Sequence, residues 1–224
     1  WEHLTGTMDK QRNQILQDIH IALSKDTHIT ERNKQILSQV LDGLRAEMMK
    51  DPLFAEIFKR FSYTGSSYEG LRIRRADEFD INLIMELPVH KGKFEIFAER
   101  PGYVSYKITA DCKKYLKDNV GKPELHALSR LFDEDLKLHP KLWREWFQSV
   151  VDKARNSYTP PLEEDGSKSF ELTARGSGPA RTLHVDLPDK SVIDIDLVPV
   201  LEHGFDHLPE RVRRCQWYNK VSSE

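Results

Sequence analysis

Glu78-Phe79-Asp80-Ile81-Asn82-Leu83-Ile84-Met85-Glu86-Leu87, closed by Pro88, is the stretch that decides the fold. Its β-branched and apolar content predicts a largely buried strand. Side chains at i and i+2 share a strand face, so Glu78 and Asp80 project their carboxylates side by side. Two such anions repel each other and lose hydration unless a divalent cation or a shared proton neutralises them. A cation is the simpler answer. Hard oxygen ligands in small number suit Mg²⁺ or Mn²⁺, which keep several waters and take further ligands from substrate phosphates. The run Ile193-Asp194-Ile195-Asp196-Leu197-Val198 repeats the alternation of carboxylate and β-branched residue and offers Asp194 or Asp196 to complete the site.

Working outward, the β-type run Ile57 to Tyr63 feeds the small-residue turn Thr64-Gly65-Ser66-Ser67. Backbone N–H groups left open by Gly65 and the hydroxyls of Thr64, Ser66 and Ser67 form a cradle for phosphates, just before a helical turn at Ser67 to Leu71. Clustered carboxylates beside such a cradle are the parts of phosphoryl and nucleotidyl transfer. Bound metals activate an attacking hydroxyl and steady the leaving pyrophosphate.

The remaining periodicities supply the frame. Ile15, Ile19 and Leu23, then Ile36, Val40, Leu41, Leu44 and Met48, recur at three and four residues and predict a long helical element from about Met8 to Lys50, jointed near Ser24 to Thr30. A strand is expected at Tyr103 to Thr109, followed by helices at Asp111 to Asn119, Glu124 to Leu138 and Pro140 to Ala154. Trp143, Trp146 and Phe147 lie at helical spacing and read as core packing rather than base stacking. A loop from Asn156 to Ser167 precedes three strands, Phe170 to Thr173, Arg181 to Val185 and Ser191 to Val200, the last two joined through Leu187-Pro188-Asp189-Lys190.

The composition agrees with one continuous globular domain. Of 224 residues, 38% are hydrophobic and 31% charged, with 11 Gly and 11 Pro, which excludes collagen-like and disordered chains. No window of about 18 uncharged apolar residues offers a membrane span. The two cysteines, Cys112 and Cys215, match no disulfide framework or zinc knuckle and suggest a reducing compartment. The first residues carry no secretory pattern, so a cytoplasmic location is expected. A net charge of −2 argues against coating nucleic acid over the whole surface. Local basic groups remain at Lys10, Arg12 and Lys25 on the long helix, at Arg72, Arg74 and Arg75, and at Lys107, Lys113, Lys114, Lys117 and Lys122. The nine histidines read as surface or core residues.

Taken together, Thr64-Gly65-Ser66, Glu78-Phe79-Asp80 and Gly176-Ser177-Gly178-Pro179-Ala180-Arg181-Thr182-Leu183 leading into Ile193-Asp194-Ile195-Asp196-Leu197-Val198-Pro199 resemble the animal cyclic GMP-AMP synthase-like receptors of the male-abnormal (Mab) nucleotidyltransferase superfamily. The likeness spans most of the chain. It implies an α/β, polymerase-β-like nucleotidyltransferase lobe, a twisted mixed sheet with a long N-terminal spine helix, occupying residues 1–224. The family's helical C-terminal lobe, with its base-stacking contacts and in some members a zinc thumb, is not present in this sequence. By the resemblance Glu78 and Asp80 are the first two ligands of Mg²⁺ or Mn²⁺. The third is Asp196, because Asp196-Leu197-Val198-Pro199 matches the family's acidic strand better than Asp194 does, with Asp194 as second candidate. Thr64, Gly65, Ser66 and Ser67 take the phosphate-binding role.

The implied reaction joins ATP and GTP into a cyclic dinucleotide of the cyclic GMP-AMP type. The implied setting is innate immunity, with double-stranded RNA or DNA bound along the spine helix through Lys10, Arg12 and Lys25 as activator. A linear-oligoadenylate synthase is a neighbouring reading. A non-catalytic scaffold or partner-binding protein is the rival, and clustered anions on a buried strand speak against it.

Overall fold

The computed structural model describes residues 28–65, 77–100, 103–119, 121–178, 180–204, 207 and 209. Ser66, Ser67, Lys10, Arg12, Lys25, the Ser67 to Leu71 turn and the Arg72-Arg74-Arg75 group lie outside the described residues.

Helix α1 covers 28–48. It buries Leu37, Val40, Leu41, Leu44 and Met48, the face that the three-and-four spacing marked. Asp51 then caps a short helix, α2 (Pro52–Ile57), by accepting a hydrogen bond from the Phe54 amide at 2.9 Å, with Pro52 at the first helical position. Sequence reading left this helix out because it is shorter than two turns. Without a break α2 runs into β1 (Phe58–Thr64), which is followed by β2 (Glu78–Met85), β3 (Phe94–Arg100), β4 (Tyr103–Ile108), α3 (Ala110–Asp118), α4 (Pro123–Ser129) and α5 (Pro140–Ser157). The strands β5 (Glu171–Ser177), β6 (Ala180–Asp186) and β7 (Val192–Leu201) complete the described order.

Among the described residues, five strands form one sheet in the order β1-β2-β7-β6-β5, and β3 with β4 forms a separate ribbon. Within the sheet β2 and β7 run parallel while the other neighbours are antiparallel, so the sheet is mixed as expected. Phe79, Ile81 and Leu83 of β2, Leu183 and Val185 of β6, and Ile193, Ile195 and Leu197 of β7 face a single hydrophobic core with α1, α2 and α5. Trp143, Phe147, Val150 and Val151 are the buried face of α5. Each large side chain so buried contributes about 1.5–3 kcal/mol of transfer free energy.

Three expectations are corrected. The helix anticipated over Glu124 to Leu138 ends at Ser129. Beyond it the chain turns back along β4, the Ile108 amide donating to the Leu136 carbonyl and the Leu138 amide to the Tyr106 carbonyl at 3.0 and 2.8 Å. This pairing satisfies backbone groups on an edge that would otherwise stand open, and Leu136 takes a left-handed φ of 66° to make the turn. The strand foreseen at Phe170 to Thr173 continues to Ser177, because β6 pairs with it over its whole length. Finally, β3 was not anticipated. Its register places Phe94 opposite Ile108 and Ile96 opposite Tyr106.

Candidate active site

As expected, β2 is largely buried, with Phe79, Ile81, Leu83, Ile84 and Met85 in the core, but its first residues also show a polar face. Its residues alternate: Phe79, Ile81 and Leu83 are fully buried, whereas Glu78 is exposed and Asp80 and Asn82 are half-buried on the opposite face. Strand β7 follows the same rule, with Ile193, Ile195 and Leu197 in the core and Asp194 and Asp196 on the polar face. The parallel register sets Glu78 beside Asp194 and Asp80 beside Asp196. Paired residues of neighbouring strands, about 4.8 Å apart, present their side chains on the same face. Two rows of carboxylates therefore cross the middle of the sheet, and both candidates for the third acid belong to one array.

The phosphate-type turn meets this array at Asp80. Thr64 is the register partner of Asp80, and its hydroxyl donates to the Asp80 backbone carbonyl at 3.2 Å. Gly65 follows with a φ of 78°, and a Cβ placed there would lie 2.1 Å from Asp80 Oδ2. Only glycine brings the backbone this close to that carboxylate while holding a left-handed φ.

On the other side β6 supplies donors that sequence reading did not assign. Thr182 Oγ1 donates to Asp196 Oδ1 at 2.5 Å, and His184 Nδ1 meets Asp194 Oδ1 at 2.6 Å. Both follow from the antiparallel register, Thr182 opposite Asp196 and His184 opposite Asp194. Counting outward from the Leu187 to Ser191 turn would have revealed them, since Thr182 and His184 alternate along β6 as the two aspartates alternate along β7. Among the described residues no three acidic, histidine or cysteine side chains converge closely enough to enclose an ion as they stand. Instead, the acids lie as a flat array with Asp194 and Asp196 each held by one oxygen.

The turn that fixes this register is tied to α1. Arg32 reaches Asp189 Oδ2 at 2.7 Å and Ser191 Oγ at 3.2 Å. Hydrogen bonds from the Ser191 hydroxyl and from the Arg32 guanidinium hold the Asp189 carboxyl far below the usual carboxylate range. On the core side Arg181 clasps Asp152 of α5 at 2.6 and 3.0 Å, anchoring β6 from behind.

Other sequence candidates fall away from the array. Lys113 spends its ammonium on the Phe132 and Asp133 carbonyls. Cys112 is buried, and burial pushes its thiol up rather than activating it. His203 stacks on Tyr106 and His207 meets Phe94 edge-on, as part of an aromatic cluster. None of the described helices is long and apolar enough to cross a membrane.

Residues 67–223 match the Mab-21 protein nucleotidyltransferase domain. A cyclic GMP-AMP synthase-like receptor of Nicrophorus vespilloides is 34% identical over 179 residues, covering 76% of this chain and 46% of the relative. Proteins of the same name from Ctenocephalides felis and Trichogramma pretiosum are each 28% identical, over 77% and 82% of this chain and 42% and 39% of their own lengths. The chain thus spans less than half the length of these relatives. With an acid-bearing mixed sheet, a helix-backed core and a family match over most of its length, the chain belongs to the Mab-21 nucleotidyltransferase family, with the polymerase-β-like fold that the family implies.

Proposed function

We propose that this chain is the catalytic lobe, residues 1–224 with a spine helix over about 8–50, of a metal-dependent nucleotidyltransferase that joins ATP and GTP into a cyclic dinucleotide of the cyclic GMP-AMP type. The observation that carries the reading is the placement of Asp80 directly beside Asp196, with Gly65 closing over the Asp80 carboxylate. The donor chemistry suits a hard divalent ion: the array offers carboxylate oxygens on a half-open face, which turn inward to ligate it, and its clustered negative charge calls for a cation. Glu78, Asp80 and Asp196 would hold Mg²⁺ or Mn²⁺. Bound there, the metal supplies Lewis-acid stabilisation of the attacking and leaving oxygens.

The chain's own residues do the positioning. Thr64, Gly65, Ser66 and Ser67 would take the triphosphate, the Thr64 hydroxyl staying on the Asp80 carbonyl, and the left-handed Gly65 lets the turn approach Asp80. Asp80 and Asp196 stand side by side on neighbouring strands, so a cation they held would bring the acceptor hydroxyl and the phosphoryl group together before reaction. Pyrophosphate leaves once for each of the two linkages.

Relatives named cyclic GMP-AMP synthase-like receptors support a role as an innate immune sensor, which on this reading acts in the cytoplasm. Double-stranded RNA or DNA would engage Lys10, Arg12 and Lys25 through its phosphates. That mode is salt-dependent and indifferent to sequence. The test is incubation of the purified protein with ATP, GTP, Mn²⁺ and double-stranded RNA or DNA, with products separated by chromatography. A cyclic product that requires both nucleotides supports the reading, and absence of any nucleotidyl transfer with every duplex overturns it.

A further inference from the structure

We propose that Thr182 is a positioning residue for metal binding: its hydroxyl fixes the Asp196 carboxylate so that one oxygen is held by the protein and the other is presented to the cation. The proposal deepens the reading above and rests on it. Thr182 sits on β6 directly opposite Asp196, half-buried, and its Oγ1 lies 2.5 Å from Asp196 Oδ1. A hydroxyl has a single proton to donate. Given to Oδ1, that proton restrains the carboxylate and leaves Oδ2 without a bond from Thr182, on the strand that pairs with Asp80. A carboxylate free to rotate would lose entropy and a donor contact on binding metal, so the hydrogen bond lowers the cost of assembling the ligand set.

The backbone holds Thr182 in place independently of this contact. Leu183 is fully buried in the core, and the Arg181 guanidinium is clasped by Asp152. The position is therefore fixed from both neighbours, and the side chain at 182 can change without moving β6. Valine preserves the β-branched shape suited to a strand but puts a methyl group where the donor stood, whereas alanine removes the donor without adding a group there. Serine keeps the donor and removes only the methyl group.

The experiment titrates Mn²⁺ into the purified protein and reads free Mn²⁺ by electron paramagnetic resonance, without nucleotide, beside a melting curve and pyrophosphate release as a function of Mn²⁺. Thr182→Val is expected to weaken Mn²⁺ binding by about 10-fold or more, with the melting temperature held. Its rate should recover substantially at saturating Mn²⁺. Thr182→Ser is expected to bind as the unmodified protein does, and Thr182→Ala to weaken Mn²⁺ as valine does. Unchanged Mn²⁺ affinity in both the valine and alanine variants overturns the proposal, as does a serine variant as weak as valine. The parent reading fails separately if Asp80→Asn and Asp196→Asn bind Mn²⁺ as tightly as the unmodified protein, and the role of Thr182 falls with it.

Discussion

Replacing Gly65 by alanine should damage the site far more than the fold. The new Cβ would lie 2.1 Å from Asp80 Oδ2, where ordinary contact begins near 3.4 Å, so the carboxylate must retreat by about 1 Å. A left-handed φ of 78° adds about 1–2 kcal/mol for any residue with a Cβ. For a chain of this size each 1 kcal/mol lowers the melting temperature by about 2–4 °C, so the variant should melt about 2–8 °C lower and remain folded at 25 °C. Catalysis is far more sensitive, because about 1 Å of misplacement at reacting groups costs on the order of 10²-fold in rate. The assay pairs differential scanning fluorimetry with pyrophosphate release in Mn²⁺, ATP and GTP. Near-normal turnover in a variant with the predicted melting loss would refute the close approach of Gly65 to a catalytic Asp80.

Other outcomes follow from the same geometry. Asp196→Asn should stop product formation, while Asp194→Asn, altering the row that pairs with Glu78, should reduce it only in part; a reversed ranking in purified protein would move the third ligand to Asp194. Asp111 is held near pKa 2, first by its hydrogen bond from Lys93, and hydrogen bonds hold Asp189 and Glu202 low, Asp189 most strongly through Ser191 and then Arg32, Glu202 through Arg60. Folded-state values below the unfolded ones mean that these groups stabilise fully above about pH 4 and lose that contribution as pH falls toward 2. Melting curves across that range should show the decline, with a shallower acid limb in Asp189→Asn; identical limbs would remove Asp189 from the account. Glutamates replacing Lys10, Arg12 and Lys25 together should weaken duplex binding strongly at low salt, measured by filter binding at two salt concentrations, and unchanged binding would leave that helix a structural spine only.

Much of this molecule was legible because its key strands carry their own pattern. Glu78 to Met85 and Val192 to Leu201 alternate acid or amide with β-branched and aromatic residues, which states both the strand and its two faces. The largely buried character of β2 follows from its apolar residues, and the polar face at Glu78, Asp80 and Asn82 from their period of two. Pairing partners were harder to read. That Asp80 stands beside Asp196 depends on a parallel neighbour more than a hundred residues away, and no local signal sets that register. The family resemblance supplied that juxtaposition. Thr182 and His184 were overlooked for the opposite reason: their signal was local, a short hairpin whose register follows from its turn, but each residue was read singly. β3 escaped because Phe94 to Arg100 mixes charged residues with apolar ones and pairs only with β4. The helix over-extended at Glu124 to Leu138 because an apolar period cannot reveal that a neighbouring strand edge needs partners.

The most direct test of the central claim is nucleotidyl transfer by Asp80→Asn. Asparagine keeps the shape and removes one charge from the array beside Asp196. The account predicts that formation of product from ATP and GTP, in Mn²⁺ with duplex present, falls by about 10³-fold or more, as expected for loss of several kcal/mol of charge stabilisation. The melting temperature should hold or rise, because one of several neighbouring anions is gone. Undiminished product from a folded Asp80→Asn protein would contradict the account and leave the carboxylate array without a catalytic role.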